Sequence, residues 1–350
     1  MCGLFGWIGD SVDLLQTKVK KVGEKLFHRG PDDEGFLKGE NFALGFRRLS
    51  ILDMSSNGHQ PMSLPQQKCH IAYNGEIYNY MELRNSNGLN IPRYKGHSDT
   101  EVLLHLLSNQ SERALPLLNG MFAFAFVDEK RQEFLLARDR LGVKPLFYAF
   151  HNHSLVFASE LPALLEFGLN KKINEIALNR YVRFGHIFPP DTIFEGIYKL
   201  EPGHFLKGSL KDPANYAKQS WWELPMKEEP EKPEKYWLDA IDDLLLDATR
   251  IRLVSDVPVG LFLSGGLDSS LIAHYTAKQS DFQKPKAVSV TFEEKDFDES
   301  GIAAAVARHC GLELITIRVN KGNLDRMDKI HANIGEPFTD SSLINQYYLS

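Results

Sequence analysis

The apolar positions change rhythm about two-thirds of the way along the chain. In the first part they come as short runs separated by breakers. Leu4-Phe5-Gly6-Trp7-Ile8 reads as a short buried strand. Leu15, Val19, Val22 and Leu26 recur at helical spacing with lysines between them, and the breaker-rich loop His28-Arg29-Gly30-Pro31-Asp32-Asp33 follows. Residues 42–46 and 71–73 read as strands, and residues 100–107 as a helix with Val102, Leu103, Leu106 and Leu107 on one side. Residues 121–127 and 133–137 flank a charged turn and predict a hairpin; residues 146–148 and 155–157 repeat the strand pattern. Many strands at short spacing with helices interspersed predict an α+β sandwich, its stacked, mainly antiparallel sheets covered by helices.

The stretch Lys227-Glu228-Glu229-Pro230-Glu231-Lys232-Pro233-Glu234-Lys235 is charged, holds two prolines and has no apolar residue, so it reads as an interdomain linker. Beyond it, strands and helices alternate. A helix is expected through Ile241, Leu244, Leu245 and Ala248, then a strand ending at Leu261-Phe262-Leu263, a helix over 271–277, a strand over 287–292, a helix over 303–309, a strand over 314–319 and a helix over 324–334. That alternation predicts an α/β domain with a doubly wound parallel sheet. The expected boundaries are a first domain at 2–207, a linker at 208–235 and a second domain at 236–350.

Composition narrows the classes. The 350 residues are 43% apolar and 25% charged, an ordinary globular balance. The net charge of −6, without a basic tract, argues against a nucleic-acid partner. Cys2, Cys69 and Cys310 are scattered, with neither metal-ligand spacing nor a pairable framework, so a reducing compartment is expected. The start lacks the pattern of a secretion signal, and no apolar run is long enough to cross a bilayer. The expectation is a soluble cytoplasmic protein with no membrane partner.

Candidate chemistry begins at Cys2. Aminopeptidases remove an initiator methionine that precedes a small residue, which would leave Cys2 with a free α-amine. Such an amine has a pKa of about 7.7–8.0 and can take the proton of the thiol. Nucleophile and general base would then share one residue, and the alternative is a small buried hydrophobe. Asn74-Gly75-Glu76 follows an apolar run. It is either a hairpin turn or an oxyanion hole built from the Asn74 amide and the Gly75 N–H. Arg48 is either a carboxylate clamp or a solvated surface residue. Asp99 is either a helix N-cap or a partner for an amino group.

In the second part, Ser264-Gly265-Gly266-Leu267-Asp268-Ser269-Ser270 lies between a strand and a helix expected to begin near Ser269. Small residues let backbone N–H groups approach an anion at a helix N-terminus, which makes a phosphate cradle. It has no Walker lysine and is not a dinucleotide fingerprint.

These motifs carry a resemblance. Met1-Cys2-Gly3, His28-Arg29-Gly30-Pro31-Asp32, Arg48-Leu49-Ser50-Ile51, Tyr73-Asn74-Gly75-Glu76-Ile77-Tyr78-Asn79, Ser98-Asp99, Gly120-Met121-Phe122-Ala123-Phe124-Ala125 and Arg138-Asp139-Arg140-Leu141-Gly142 stand in the order found in class II glutamine amidotransferases. More narrowly, the chain resembles the glutamine-hydrolysing asparagine synthetases over nearly all of its first 205 residues. The resemblance implies an N-terminal-nucleophile fold followed by an ATP-pyrophosphatase domain incomplete at its C-terminus. It implies that Cys2 attacks glutamine, that Asn74 and Gly75 form the oxyanion hole, that Arg48 holds the α-carboxylate, and that Glu76 and Asp99 hold the α-amine. The 264–270 loop then resembles a pyrophosphate loop. Leu263 and Val290 would contact the adenine nucleotide, and Asp268 would lie near the phosphates and Mg²⁺. The substrates implied are glutamine, aspartate and ATP, with ammonia passing between the halves along a dry route.

Glu336-Pro337-Phe338-Thr339-Asp340-Ser341-Ser342 matches a late stretch of the nucleotide domain. The family continues into a second Gly- and acid-rich loop that is not in this sequence. A fragment, or completion by a partner chain or homodimer, is expected, with glutaminase activity and little asparagine formation. The rivals are an amidotransferase of the family acting on another carboxylate in polysaccharide or natural-product synthesis, a glutaminase-only fragment, and a non-catalytic remnant.

Overall fold

A computed structural model of the chain describes residues 1–10, 17–85, 94–226, 230–279, 282, 284–292, 299–319, 327–340 and 342–349. In chain order the strands are β1 (Gly3–Gly9), β2 (Asp33–Lys38), β3 (Phe42–Arg48), β4 (Met62–Leu64), β5 (Cys69–Ile77), β6 (Gly120–Asp128), β7 (Glu133–Arg138), β8 (Phe147–His151), β9 (Ser154–Ala158), β10 (Ile197–Lys199), β11 (His204–Ser209), β12 (Ala217–Ser220), β13 (Gly260–Phe262), β14 (Lys286–Phe292) and β15 (Leu314–Val319). The helices are α1 (Val19–Lys25), α2 (Tyr80–Asn85), α3 (Asp99–Gln110), α4 (Leu161–Leu165), α5 (Glu175–Phe184), α6 (Glu234–Arg252), α7 (Leu267–Ala277), α8 (Ser300–Cys310), α9 (Met327–Ile334) and α10 (Ser342–Leu349). Contacts divide the chain into one unit of Met1–Leu224 with His331–Thr339, and another of Pro225–Ile330 with Asp340–Ser350.

The first unit holds two six-stranded sheets, ordered β10-β8-β9-β1-β3-β2 and β12-β11-β7-β6-β5-β4. The pairings flanking β1 and β5 are antiparallel. Strand alternation sorts their side chains between two faces. Leu4 and Ile8 of β1 and Phe42, Leu44 and Phe46 of β3 meet Ala72, Ala123 and Ala125 of the other sheet in one inter-sheet core. The alternate residues Phe5, Trp7 and Ala43 face outward onto Val22, Leu161 and Leu164 of the covering helices. On the far side, Ile71, Tyr73, Phe122 and Phe124 pack on Val102, Leu103, Leu106 and Leu107 of α3. The layering is therefore helix, sheet, sheet, helix, as the alternating pattern predicts. The 121–127 and 133–137 segments pair as the expected hairpin, β6 with β7.

The second unit is α/β. Its described strands form a parallel sheet ordered β13-β14-β15. Leu263, Ala273, Ala287, Ala303, Ala307 and Leu312 make its small core. Gly311, at φ 64°, ends α8 in the left-handed conformation that glycine adopts without strain.

Several details differ from the sequence reading. Asn74-Gly75 is no hairpin turn: both residues lie within β5, paired with Ala123 and Phe122. The helix after the Gly-rich loop starts at Leu267, not near Ser269. The stretch expected as linker, 208–235, contains β12, which pairs with β11, and Trp221, which stacks on Phe122. All of β12 is exposed, so it carries no apolar alternation to read. Leu15 and residues 324–326 lie outside the described residues. Among the described residues, no helix is long and apolar enough to cross a membrane.

Phe157 is fully buried in the inter-sheet core. Phe157→Ala should destabilise the first unit by about 3–5 kcal/mol. Urea unfolding followed by tryptophan fluorescence checks this, and a loss under about 1 kcal/mol would mean the two sheets do not share a packed core.

Candidate active site

The alternation that builds the core also aims the polar residues. On β1, Leu4 and Ile8 point inward, so Cys2, one step before the strand, belongs to the same inward series. On β3, Phe42, Leu44 and Phe46 point inward, so Arg48 ends that series beside Cys2, as the Gly3–Arg47 pairing requires. On β5, Ala72 faces the same core, and Asn74 and Glu76 continue its face. Sheet geometry thus brings four polar residues from three strands to one end of the sandwich. They line a cavity of about 250 Å³ together with Gln60, Tyr73, Gly75, Asp99, Met121 and Lys144. That volume suits a small metabolite.

Cys2 Sγ lies 3.4 Å from the Leu49 N–H, which donates to it, and 3.5 Å from the Leu49 carbonyl. Burial pushes the Cys2 thiol pKa up, while the Leu49 contact, the terminal amine, Arg48 and Lys144 pull it down. Burial lowers the pKa of the terminal amine, which here belongs to Met1, and Arg29 and Lys144 lower it further. The backbone of Cys2 is held by Arg29, whose Nε donates to the Cys2 carbonyl at 2.9 Å while its Nη1 binds Glu160 at 2.7 Å. His28 meets the same Glu160 oxygen at 3.0 Å, which makes it a loop-fixing residue.

Asn74 is 1% exposed, and its Nδ2 has no hydrogen-bond partner among the described residues. A buried amide donor left wholly unpaired costs about 1–3 kcal/mol, so this one is available to a water or a ligand in the cavity. Gly75 permits the strand pairing there. A Cβ on it would sit 2.3 Å from the Met121 carbonyl.

Arg48 is neither exposed nor loosely held. Its Nη2 donates to the Leu52 carbonyl at 3.0 Å and the Asp53 carbonyl at 2.6 Å, which directs the rest of the guanidinium. Asp99 is the first residue of α3, and the N-cap is Ser98, whose hydroxyl accepts from the Glu101 N–H. The Asp99 Oδ2 accepts from the Tyr73 hydroxyl at 2.7 Å and the Ile77 N–H at 2.9 Å. Burial raises the Asp99 pKa despite these bonds. A buried carboxylate of this kind is completed by a cation.

Sequence reasoning passed over several residues here. Gln60 accepts from the Tyr73 N–H at 2.7 Å, tying the 49–61 loop to β5. Asp139, 1% exposed, accepts from the N–H groups of Phe122, Val143 and Lys144. Lys144 lines the cavity although nothing about its sequence position marks it. A lysine three residues past an Arg-Leu turn looks like ordinary surface.

In the second unit, the strand-loop-helix arrangement is present. Leu263 is buried, and its N–H donates to the Val288 carbonyl on β14, the strand that also carries Val290. The Ser264 and Gly266 N–H groups are answered by Ser269 Oγ and Ser264 Oγ, and Ser270 Oγ donates to the Gly266 carbonyl. The Gly265 N–H donates to Glu299 Oε2 at 3.0 Å, so a carboxylate oxygen already sits against this loop. Asp268 is exposed in the first turn of α7. Among the described residues, no group of three or more His, Cys, Asp or Glu is gathered as a metal site.

Residues 1–222 match the family described as "Glutamine amidotransferase domain", the class of protein that this sandwich and its cavity define. Residues 240–350 match the family described as "Asparagine synthase". Over its whole length the chain is 35% identical to a Methanocaldococcus jannaschii protein named "Putative asparagine synthetase (glutamine-hydrolyzing) 2", of which it covers 71%. It is 33% identical to asparagine synthetase (glutamine-hydrolyzing) 1 of Bacillus subtilis, covering 55% of that protein. Across 92% of the chain it is 32% identical to amidase chry2 of Gibberella zeae, of which it covers 51%. The chain belongs to the glutamine-hydrolysing asparagine synthetase family. It spans about half the length of the latter two relatives.

The raised Asp99 pKa has a signed consequence. The folded state binds that proton more tightly than the unfolded state, so the contribution favours folding at low pH and is lost as pH rises through the raised value. Asp99→Asn should therefore raise Tm at about pH 7, and the gain should shrink toward about pH 4. Thermal melts at both pH values check this; equal gains would contradict the assigned burial cost.

Proposed function

We propose that this chain carries the glutamine-hydrolysing part of an asparagine synthetase and the nucleotide loop of its synthetase part. In this reading Met1 is removed and the Cys2 α-amine takes the thiol proton. The sulfur then adds to the glutamine amide carbon. The developing oxyanion receives hydrogen bonds from Asn74 Nδ2 and the Gly75 N–H, a pair worth about 3–4 kcal/mol per donor in the transition state. The α-ammonium of Cys2 returns that proton to the leaving nitrogen, collapse expels ammonia, and water releases glutamate from the thioester. Arg48 clamps the α-carboxylate, while Glu76 and Asp99 pair with the α-ammonium. The observation that carries the reading is the buried Asn74 donor with no partner, lining the same cavity as Cys2.

The second reaction follows from chemistry. A carboxylate is a poor electrophile until it is given a leaving group, and transfer of AMP from ATP supplies one that ammonia displaces. We assign the 264–270 loop, comprising Ser264, Gly265, Gly266, Leu267, Asp268, Ser269 and Ser270, to the ATP phosphates, with Leu263 and Val290 beside the nucleotide. The Glu299 carboxylate on the Gly265 N–H supports an anion there. Mg²⁺ brought with the phosphates needs only one or two carboxylates, and in this reading Asp268 offers one. The three cysteines are unpaired, which supports a reducing, cytoplasmic setting. Relatives named as amidases favour one second reading, the same chemistry on a carboxylate other than aspartate.

The test is glutamate release from glutamine by the purified protein. Cys2→Ala should abolish it, and Asn74→Ala should lower kcat by about 10²–10³-fold. Unchanged turnover in Cys2→Ala would overturn the proposal. Pyrophosphate release by the complete protein should require aspartate; release supported by another carboxylate, and not by aspartate, would select the second reading.

A further inference from the structure

Lys144 is 6% exposed and lines the Cys2 cavity. Its ammonium makes no hydrogen bond or ion pair among the described residues, yet burying a charge unpaired is costly. Its backbone, in contrast, is locked. Asp139 Oδ2 accepts from the Lys144 N–H at 3.0 Å and from the Phe122 N–H on β6 at 3.1 Å. Asp139 Oδ1 accepts from Leu141 and Val143, and Arg138 Nε donates to the Lys144 carbonyl at 2.8 Å. A loop this tightly bonded fixes where its side chain emerges. The elements around Cys2 present Arg48 from β3, Glu76 and Tyr73 from β5, Asp99 from α3, Arg29 and Asp32 from the 28–32 loop, and Lys144 from the 139–144 loop.

We propose that Lys144 is an electrostatic positioning residue for the nucleophile: its buried ammonium, carried on a bonded loop and lining the same cavity as Cys2, is the positive charge beside which the thiol passes its proton to the α-amine of the same residue. This rests on Cys2 being the nucleophile. A positive charge beside two groups that must each shed a proton makes both losses easier. The proton that leaves sulfur goes to the amine, which can accept it only when it is already neutral. Lys144 thus keeps the base free near neutrality, where an α-amine would otherwise be mostly protonated. Burial raises the Cys2 thiol pKa, and Lys144 is among the groups that pull it back down; burial in turn lowers the pKa of Lys144, opposed by Glu76, Cys2 and Asp139 and assisted by Arg29.

The test is the pH profile of kcat/KM for glutamine hydrolysis in wild type, Lys144→Met, Lys144→Gln and Lys144→Arg, with the pH dependence of Cys2 alkylation by iodoacetamide measured on each. In Lys144→Met and Lys144→Gln the acid limb should move up by about one pH unit, a roughly tenfold loss below the limb that disappears at high pH. Lys144→Arg should keep the wild-type limb. An unmoved limb in either neutral variant, or an equal shift in Lys144→Arg, overturns the inference. Either neutral variant suffices if the other does not fold, and melting temperatures separate a charge effect from a packing defect. If wild type hydrolyses no glutamine, or Cys2→Ala still does, the functional reading fails instead.

Discussion

The two-residue period of β1, β3 and β5 is the constraint on which the site depends. Each strand must put its apolar residues into the inter-sheet core, so the residue that continues each inward series past the core has no choice of direction. Cys2 continues the series of Leu4 and Ile8, Arg48 that of Phe42, Leu44 and Phe46, and Asn74 and Glu76 that of Ala72. A one-residue slip in any of these strands would turn its polar residue out of the cavity and its apolar residues out of the core together. Stability of the sandwich and aim of the candidate nucleophile are therefore one property.

The cavity concentrates what folding disfavours. Arg29, Arg48, Asp99, Asp139 and Lys144 are all nearly buried, and Asn74 keeps an unanswered donor. Asp139 and Arg29 are fully engaged with backbone or with Glu160, and they hold the scaffold. Asn74, Asp99 and Lys144 are less completely satisfied, and each lines the cavity. In the proposed reading, an amino acid with one carboxylate, one ammonium and one amide oxygen completes Arg48, Asp99 and Asn74 in turn. That reading needs a free amino acid, because the terminal groups of a peptide are spent in amide bonds.

Much of the fold was legible because apolar periodicity survives wherever an element has one buried face. The hairpin of β6 and β7, helix α3 and the strand-helix alternation of the second unit all come from such patterns. β12 was not legible, since all four of its residues are exposed and only backbone pairing to β11 makes it a strand. Of the two readings left open for the Asn-Gly pair, the turn is excluded by the pairing of Asn74 and Gly75 with Ala123 and Phe122 inside β5, which overrides the local preference. Cys2, Arg48, Asn74, Glu76 and Asp99 could be named from the sequence through their motifs, and the structure brings all five to one cavity. Lys144 and Gln60 could not, because their places depend on a loop bonded by Asp139 and on a contact between residues 13 positions apart.

The central claim is that one residue supplies both sulfur and base, which requires that the amine nearest the thiol be its own. Intact-mass measurement of the purified, glutamine-hydrolysing protein addresses this without perturbing a side chain. The expected mass is that of the sequence less its initiator methionine. A fully active protein that retains Met1 would contradict the claim.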